Sequence, residues 1–258
     1  MTTDHYNEIE DRIGFVDLPK IVKVQLGILY GISVGTGDPE LMTLKGLRLL
    51  QGVSVVAFPA GMDNKPGMAE QIIVPWLTSR QQRLALHFPY VQEEPVLLQA
   101  WQAAAEQVWQ YLKQGYDVAF ACEGDVSFYS TFTYLAQTLT QLYPQVVIQT
   151  VPGICSPMAA AAALGLPLTV RSQRLVVLPA LYTVDELERV LQWADVVVLM
   201  KVSSVYEQVW RVLKQYHLLQ RAWVVERATL PNQVIYTDLR DRPTLKLPYF
   251  SLLIVQAK

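Results

Sequence analysis

With 258 residues, 52% hydrophobic and 17% charged, the chain can bury a sizeable core in one large or two modest domains, and its composition excludes general disorder. A formal net charge of −2 argues against a broad nucleic-acid-binding face, and no apolar run reaches the roughly 18 residues of a membrane-spanning helix. Two cysteines, Cys122 and Cys155, make no disulfide framework, and neither they nor the scattered His5, His87 and His217 show metal-ligand spacing, so no protein-bound metal is expected.

The first twenty residues read as an appendage: polar and acidic at the start, unlike a signal peptide, and closed by Pro19. A cytoplasmic location is the default expectation. From Val24 onward short β-branched runs alternate with longer amphipathic stretches. Strands are expected over 26–34, 53–59, 118–122, 146–151, 175–178, 196–200, 222–226, 234–236 and 250–256. Helices are expected over 40–51, 69–79, 95–114, 128–142, 157–164, 184–193 and 203–216. The helix over 95–114 carries one apolar stripe of Val96, Leu97, Ala100, Trp101, Ala104, Val108 and Leu112, and Gly115 follows as a stop. Such alternation predicts an α/β chain, with mainly parallel sheet in the first half and a mixed sheet in the second. The expected division is an extension over 1–20, one domain over 21–155 and a second over 156–258.

Three loops stand out as carriers of chemistry. In Gly31-Ile-Ser-Val-Gly-Thr-Gly-Asp-Pro-Glu40, Gly35 and Gly37 permit a tight turn and close backbone approach to a ligand. The glycines do not match GxGxxG, and the next strand ends without an acid to hold a ribose, so this is not a dinucleotide site. An acid beside a helix N-terminus favours a neutral or cationic ligand over a phosphate, although Asp38 is equally readable as a helix cap. Ala121-Cys-Glu-Gly-Asp-Val-Ser-Phe128 again follows a strand, placing an acid where open α/β sheets bind ligands; the structural alternative is that Asp125 caps the next helix. In Val151-Pro-Gly-Ile-Cys-Ser-Pro-Met158, Ser156 and Pro157 read as cap and first helical residue.

Taken in order, LYGISVGTGDPELMTLKGLRLL, CEGDVSFYSTFTYL, VPGICSPMAAAAALGLPL, VVVLMKVSS, VVERATLPNQ and PYFSLLIV resemble the tetrapyrrole methylase family between Leu29 and Val255. CEGDVSFYSTF, LMKV and ERATLP resemble its C-20 branch, whose members methylate precorrin-2 or its cobalt form. Thr36 and Val126 stand where many family members have proline. The resemblance implies a homodimer of two-domain subunits, with S-adenosylmethionine folded between the domains. It places cofactor contacts at Thr36, Glu123, Gly124, Asp125, Phe128, Cys155, Ser156, Met200, Arg227 and Ala228. The substrate it implies is a polycarboxylate, for which Arg171, Arg174, Lys201 and Arg227 are the candidate partners. An electron-rich meso carbon attacks a sulfonium methyl without prior deprotonation, so orientation carries most of the catalysis and no essential base is assigned. Asp125, Lys201 and Glu226 are the positioning candidates, with Asp125, Glu226 or water available for a later proton loss. Trp101, Trp109 and Trp210 read as core, and His87 as packing or surface. Other readings are the same fold acting on another tetrapyrrole carbon, a protein histidine or ribosomal RNA, the last disfavoured by charge. A non-catalytic nucleotide-binding module is the reading from a different class.

Overall fold

The computed structural model describes residues 25–61, 65–179 and 184–258, so the expected appendage over 1–20 lies outside the described residues. Five parallel strands form the first sheet: β1 (Ile28–Ser33), β2 (Val55–Pro59), β3 (Gln82–Leu86), β4 (Val118–Cys122) and β5 (Val147–Val151), in the order β3-β2-β4-β1-β5. Its central strands are apolar on both faces because both faces are covered. On β4, Val118, Phe120 and Cys122 enter the core under α3 (Glu94–Leu112) and α4 (Thr131–Leu142). The alternate residues Ala119 and Ala121 pack with Leu50 of α1 (Leu44–Gly52) and Ile72 of α2 (Met68–Ile73). The helices after β1 and β4 therefore leave on opposite faces, and the neighbouring ends of β1 and β4 form a crevice at a topological switch point.

The second sheet is mixed, as its sequence pattern predicts. Its strands β6 (Leu175–Pro179), β7 (Val196–Met200), β8 (Ala222–Glu226), β9 (Val234–Tyr236) and β10 (Ser251–Gln256) lie in the order β6-β7-β10-β8-β9. Only β6 and β7 pair in parallel; β10 runs antiparallel to both β7 and β8. One face, with Val197, Leu199, Val224 and Leu253, packs on α6 (Asp185–Leu191) and α7 (Tyr206–Gln215). The other, with Val198, Val225 and Ile254, takes the alanines of α5 (Ser156–Leu164), whose short side chains allow close approach.

The departures from expectation are local. β3 was not expected, since Gln82 and Arg83 break the apolar pattern; as an edge strand it needs only Leu86 fully inside. The helix expected over 40–51 is a 3-10 turn at Pro39–Leu41 and then α1, because Thr43 caps α1 by accepting from the Gly46 amide at 3.1 Å. Asp38 caps only the 3-10 turn. Likewise Ser130, not Asp125, caps α4, accepting from the Phe132 amide at 3.0 Å. Cys155 takes the cap position of α5 and Ser156 is its first residue, one residue earlier than the expected placement.

Candidate active site

At the carboxyl end of the first sheet the loops after β1 and β4 meet as an isolated antiparallel bridge between Gly35 and Gly124. The Gly124 amide donates to the Gly35 carbonyl at 2.7 Å, and the Gly35 amide donates back at 3.3 Å. Both glycines have left-handed φ, +79° and +67°, a conformation an L side chain resists. The β5 loop joins them through Asp125, whose Oδ2 accepts from the Gly153 amide at 2.7 Å while Oδ1 accepts from the Ser127 amide at 2.8 Å. Below it, the Ser33 hydroxyl donates to the Val151 carbonyl and accepts from the Val126 amide. A Cβ on Gly153 would lie 2.4 Å from that of Ser33, so this packing demands glycine.

Between this triple junction and the second sheet lies a cleft of about 760 Å³. The second sheet contributes Met200 and Lys201 from the end of β7, Arg227 and Ala228 after β8, and Tyr249 and Phe250 before β10. The two halves are also tied by Thr36 and Thr229, whose hydroxyls lie 2.9 Å apart. Tyr129, Lys201 and Arg227, all on the cleft, hold left-handed φ near +50° to +58° without being glycine. Such strained backbone gathers where a site must be held in one shape.

All ten residues assigned to the cofactor by resemblance, Thr36, Glu123, Gly124, Asp125, Phe128, Cys155, Ser156, Met200, Arg227 and Ala228, border this one cleft. Lys201 borders it too, with its Nζ 5.3 Å from the Tyr249 ring centroid. Glu226 does not. It is buried behind the cleft, accepting from the Tyr236 hydroxyl at 3.1 Å and pairing with Arg227 at 3.4 Å, and so acts on the site only through Arg227. Arg174 pairs with Asp195 at 3.0 Å and Arg171 is exposed; neither borders the cleft. His87 is exposed.

One wall of the cleft was not anticipated. Trp101, expected in the core, stacks on Tyr134 with centroids 4.3 Å apart and lines the cleft, beside Phe88 and Tyr90. Tyr90 meets Tyr249 edge-to-face across 5.7 Å. Trp109 and Trp210 do pack against the cores. The sequence signal was the FPY run over 88–90, which gains meaning only once β3 is seen to deliver it.

The two carboxyls of the cleft differ in state. Burial works against ionised Asp125, but the bonds from Ser127 and the Gly153 amide outweigh it and hold its carboxyl below the usual range. Partly buried Glu123 is pushed upward by desolvation, against opposing contributions from its own amide, the Ala69 amide and the nearby Lys201. Burial raises the Cys122 thiol to about 12, and its sulfur sits 2.9 Å from the Ser130 hydroxyl, so it is an inert packing group. Among the described residues, no cluster of His, Cys, Asp and Glu is arranged to hold a metal ion.

Residues 28–242 match the family model of the Tetrapyrrole (Corrin/Porphyrin) Methylases. The chain belongs to this family. It is 31% identical over 233 residues to the cobalt-precorrin-2 C(20)-methyltransferase of Salmonella typhimurium, covering 89% of this chain and 96% of that one. It is 35% identical over 237 residues to the cobalamin biosynthesis protein CobIJ of Mycobacterium tuberculosis, covering 88% of this chain; it spans about half of that relative, 45% of its length. The fold is that of uroporphyrin-III C-methyl transferase from Thermus thermophilus, solved with S-adenosyl homocysteine: TM-score 0.63 at 18% identity, over 90% of this chain and 98% of that one.

The cleft has room for a ligand at its glycine turn. A Cβ placed on Gly124 meets only the Cys155 Cα, at 3.9 Å, so the turn leaves room for a ligand against its backbone. The carboxyls near it suit a cationic ligand better than a phosphate.

Proposed function

We propose that this methylase transfers a methyl group from S-adenosylmethionine to carbon 20 of precorrin-2, or of its cobalt form, within cobalamin biosynthesis. What carries the reading is the near full-length likeness to a C-20 methyltransferase, joined to the convergence of the three glycine-bearing turns on one cleft. The bound donor supplies a methyl group on a cationic sulfur that leaves neutral. The ten cleft residues named above hold it, with the backbone of the β1 and β4 turns as its floor. Asp125 keeps the three turns in register, and Glu226 holds the Arg227 guanidinium. Lys201 and Arg227 receive the substrate's carboxylates at the mouth, and the stacked Trp101 and Tyr134 give its macrocycle an apolar wall. Alignment of the accepting carbon with the methyl group supplies much of the rate, on the order of 7–11 kcal/mol for well-oriented reactants.

The chain is further read as two domains dividing between residues 155 and 156, because α5 packs with the second sheet. The active form is a cytoplasmic homodimer needing no protein-bound metal. Among the described residues no helix is long and apolar enough to cross a membrane.

The test offers precorrin-2 and cobalt-factor II in parallel with labelled donor, and locates the new methyl by mass spectrometry and NMR. One methyl at C-20 of either substrate is expected. Methylation of another carbon, or of neither substrate, overturns the reading.

A further inference from the structure

We propose that the Glu123 carboxylate takes the proton that C-20 must lose after methylation. The inference rests on the C-20 reading above. In the transfer, a π pair of the macrocycle forms the new carbon–carbon bond and the carbon–sulfur pair departs with sulfur. C-20 is left tetrahedral, carrying both its hydrogen and the methyl group, on a macrocycle one charge more positive. Conjugation returns when the C–H pair falls back into the ring and the proton passes to an acceptor. No oxidant is needed.

Among the described residues, the cleft is bordered by two carboxyl side chains, Glu123 and Asp125. Asp125 is committed: Oδ2 accepts from the Gly153 amide and so staples the β4 loop to the β5 loop, Oδ1 accepts from the Ser127 amide within its own loop, and its carboxyl is held low, which makes it a poor acceptor. Glu226 lies behind the cleft in its bonds with Tyr236 and Arg227. Neither His87 nor His217 borders the cleft. Tyr90 is raised by burial and by Glu123 and Tyr249, so its phenol stays protonated, and the Cys122 thiol at about 12 does the same.

Glu123 stands between the two halves of the site. Its backbone belongs to the turn whose Gly124 bridges Gly35, while its carboxyl lies among the Ala69 amide at the start of α2, Lys201 beyond β7 and Tyr90 beyond β3. That is the seam between the cofactor floor and the aromatic wall. Among the described residues, the charged and titratable groups that act on it are Lys201, Tyr90 and Cys122, with Tyr249 beside Lys201. Desolvation raises Glu123 and favours the neutral acid that results from accepting a proton, while its own amide, the Ala69 amide and Lys201 favour the carboxylate that accepts it.

The full chain and its Glu123→Gln and Glu123→Asp variants are compared. For Glu123→Gln, kcat is expected to fall about 100-fold, within the range for a lost general base, and far more than the affinity for S-adenosylhomocysteine, to which Glu123 is one contact among ten. The parent's acidic limb in the pH profile of kcat disappears in this variant. Deuterium at C-20 slows the variant more than the parent, because proton loss has become limiting, and Glu123→Asp restores part of the rate. Parental kcat and pH profile in Glu123→Gln refute the role; so does a loss of S-adenosylhomocysteine affinity that matches the loss in kcat. The parent arm alone reports on the C-20 assignment, since a parent that methylates another carbon refutes that assignment whatever the variants do.

Discussion

A carboxyl whose desolvation raises its pKa works against folding at neutral pH, and Glu123 is one. Below the ordinary glutamate range it is protonated in both states and costs nothing as a charge. As pH rises through its elevated folded value, ionisation is harder in the folded state than in the unfolded one, and stability is lost. Glu123→Gln is therefore expected to melt higher than the parent at pH 8 and to converge on it near pH 4. Thermal melts across that range check this, and a variant less stable at pH 8 contradicts it. Two neighbouring substitutions separate the ligands. Gly124→Arg puts a long chain into the cofactor floor at a left-handed position, with only the Cys155 Cα at 3.9 Å to meet its Cβ. Calorimetry should show S-adenosylhomocysteine binding abolished in a folded protein. Lys201→Glu sets a second carboxyl beside Glu123 and repels the substrate's own. Tetrapyrrole binding should weaken by more than about 2 kcal/mol with S-adenosylhomocysteine affinity nearly unchanged; equal losses for both ligands would mean misfolding or a cofactor role.

At the scale of elements, caps decide where the helices begin and hence how long the ligand-bearing loops are. Thr43 holds the start of α1, so the β1 loop runs on through a 3-10 turn instead of entering a helix at once. Thr43→Ala should cost about 1 kcal/mol in urea denaturation, the usual worth of such a cap. Asp38→Ala should cost less, since Asp38 serves only the exposed Glu40 amide. The reverse order would return the helix start to Asp38. Strong elements were legible in the sequence: β4, β7 and β8 match their expected spans residue for residue, because runs of apolar residues with two covered faces have no competing reading, and the edge strand β9 matches through its short β-branched and aromatic run Val234–Tyr236. β3 was not legible, since an edge strand with exposed Gln82 and Arg83 has little pattern to show. Its absence hid the Phe88–Tyr90 wall.

At the scale of the molecule, exposed aromatic residues bear on assembly. Tyr129 is 52% exposed and Tyr134 46%, near Tyr90 at 62%, and all three stand at the cleft rim. Apolar surface of this kind is commonly covered by a partner. Light scattering at micromolar concentration is expected to give twice the 29.2 kDa chain mass; a value at the chain mass would contradict the homodimer.

Local chemistry lies in neighbouring residues, so the glycine turns, the acids beside them and the alternation of strand with helix could be read from the sequence alone. That reading reached the family, the parallel and mixed sheets, and ten residues that border one cleft. What each side chain does there depends on partners far away along the chain. Asp125 became a staple because the Gly153 amide, 28 residues on, meets its second oxygen. Glu226 left the site because β8 turns it toward Tyr236, and Trp101 entered it because α3 brings it onto Tyr134. The balance of desolvation against hydrogen bonds, which separates the acceptor Glu123 from the committed Asp125 two residues later, depends on everything packed around a group, and only the tertiary structure sets it.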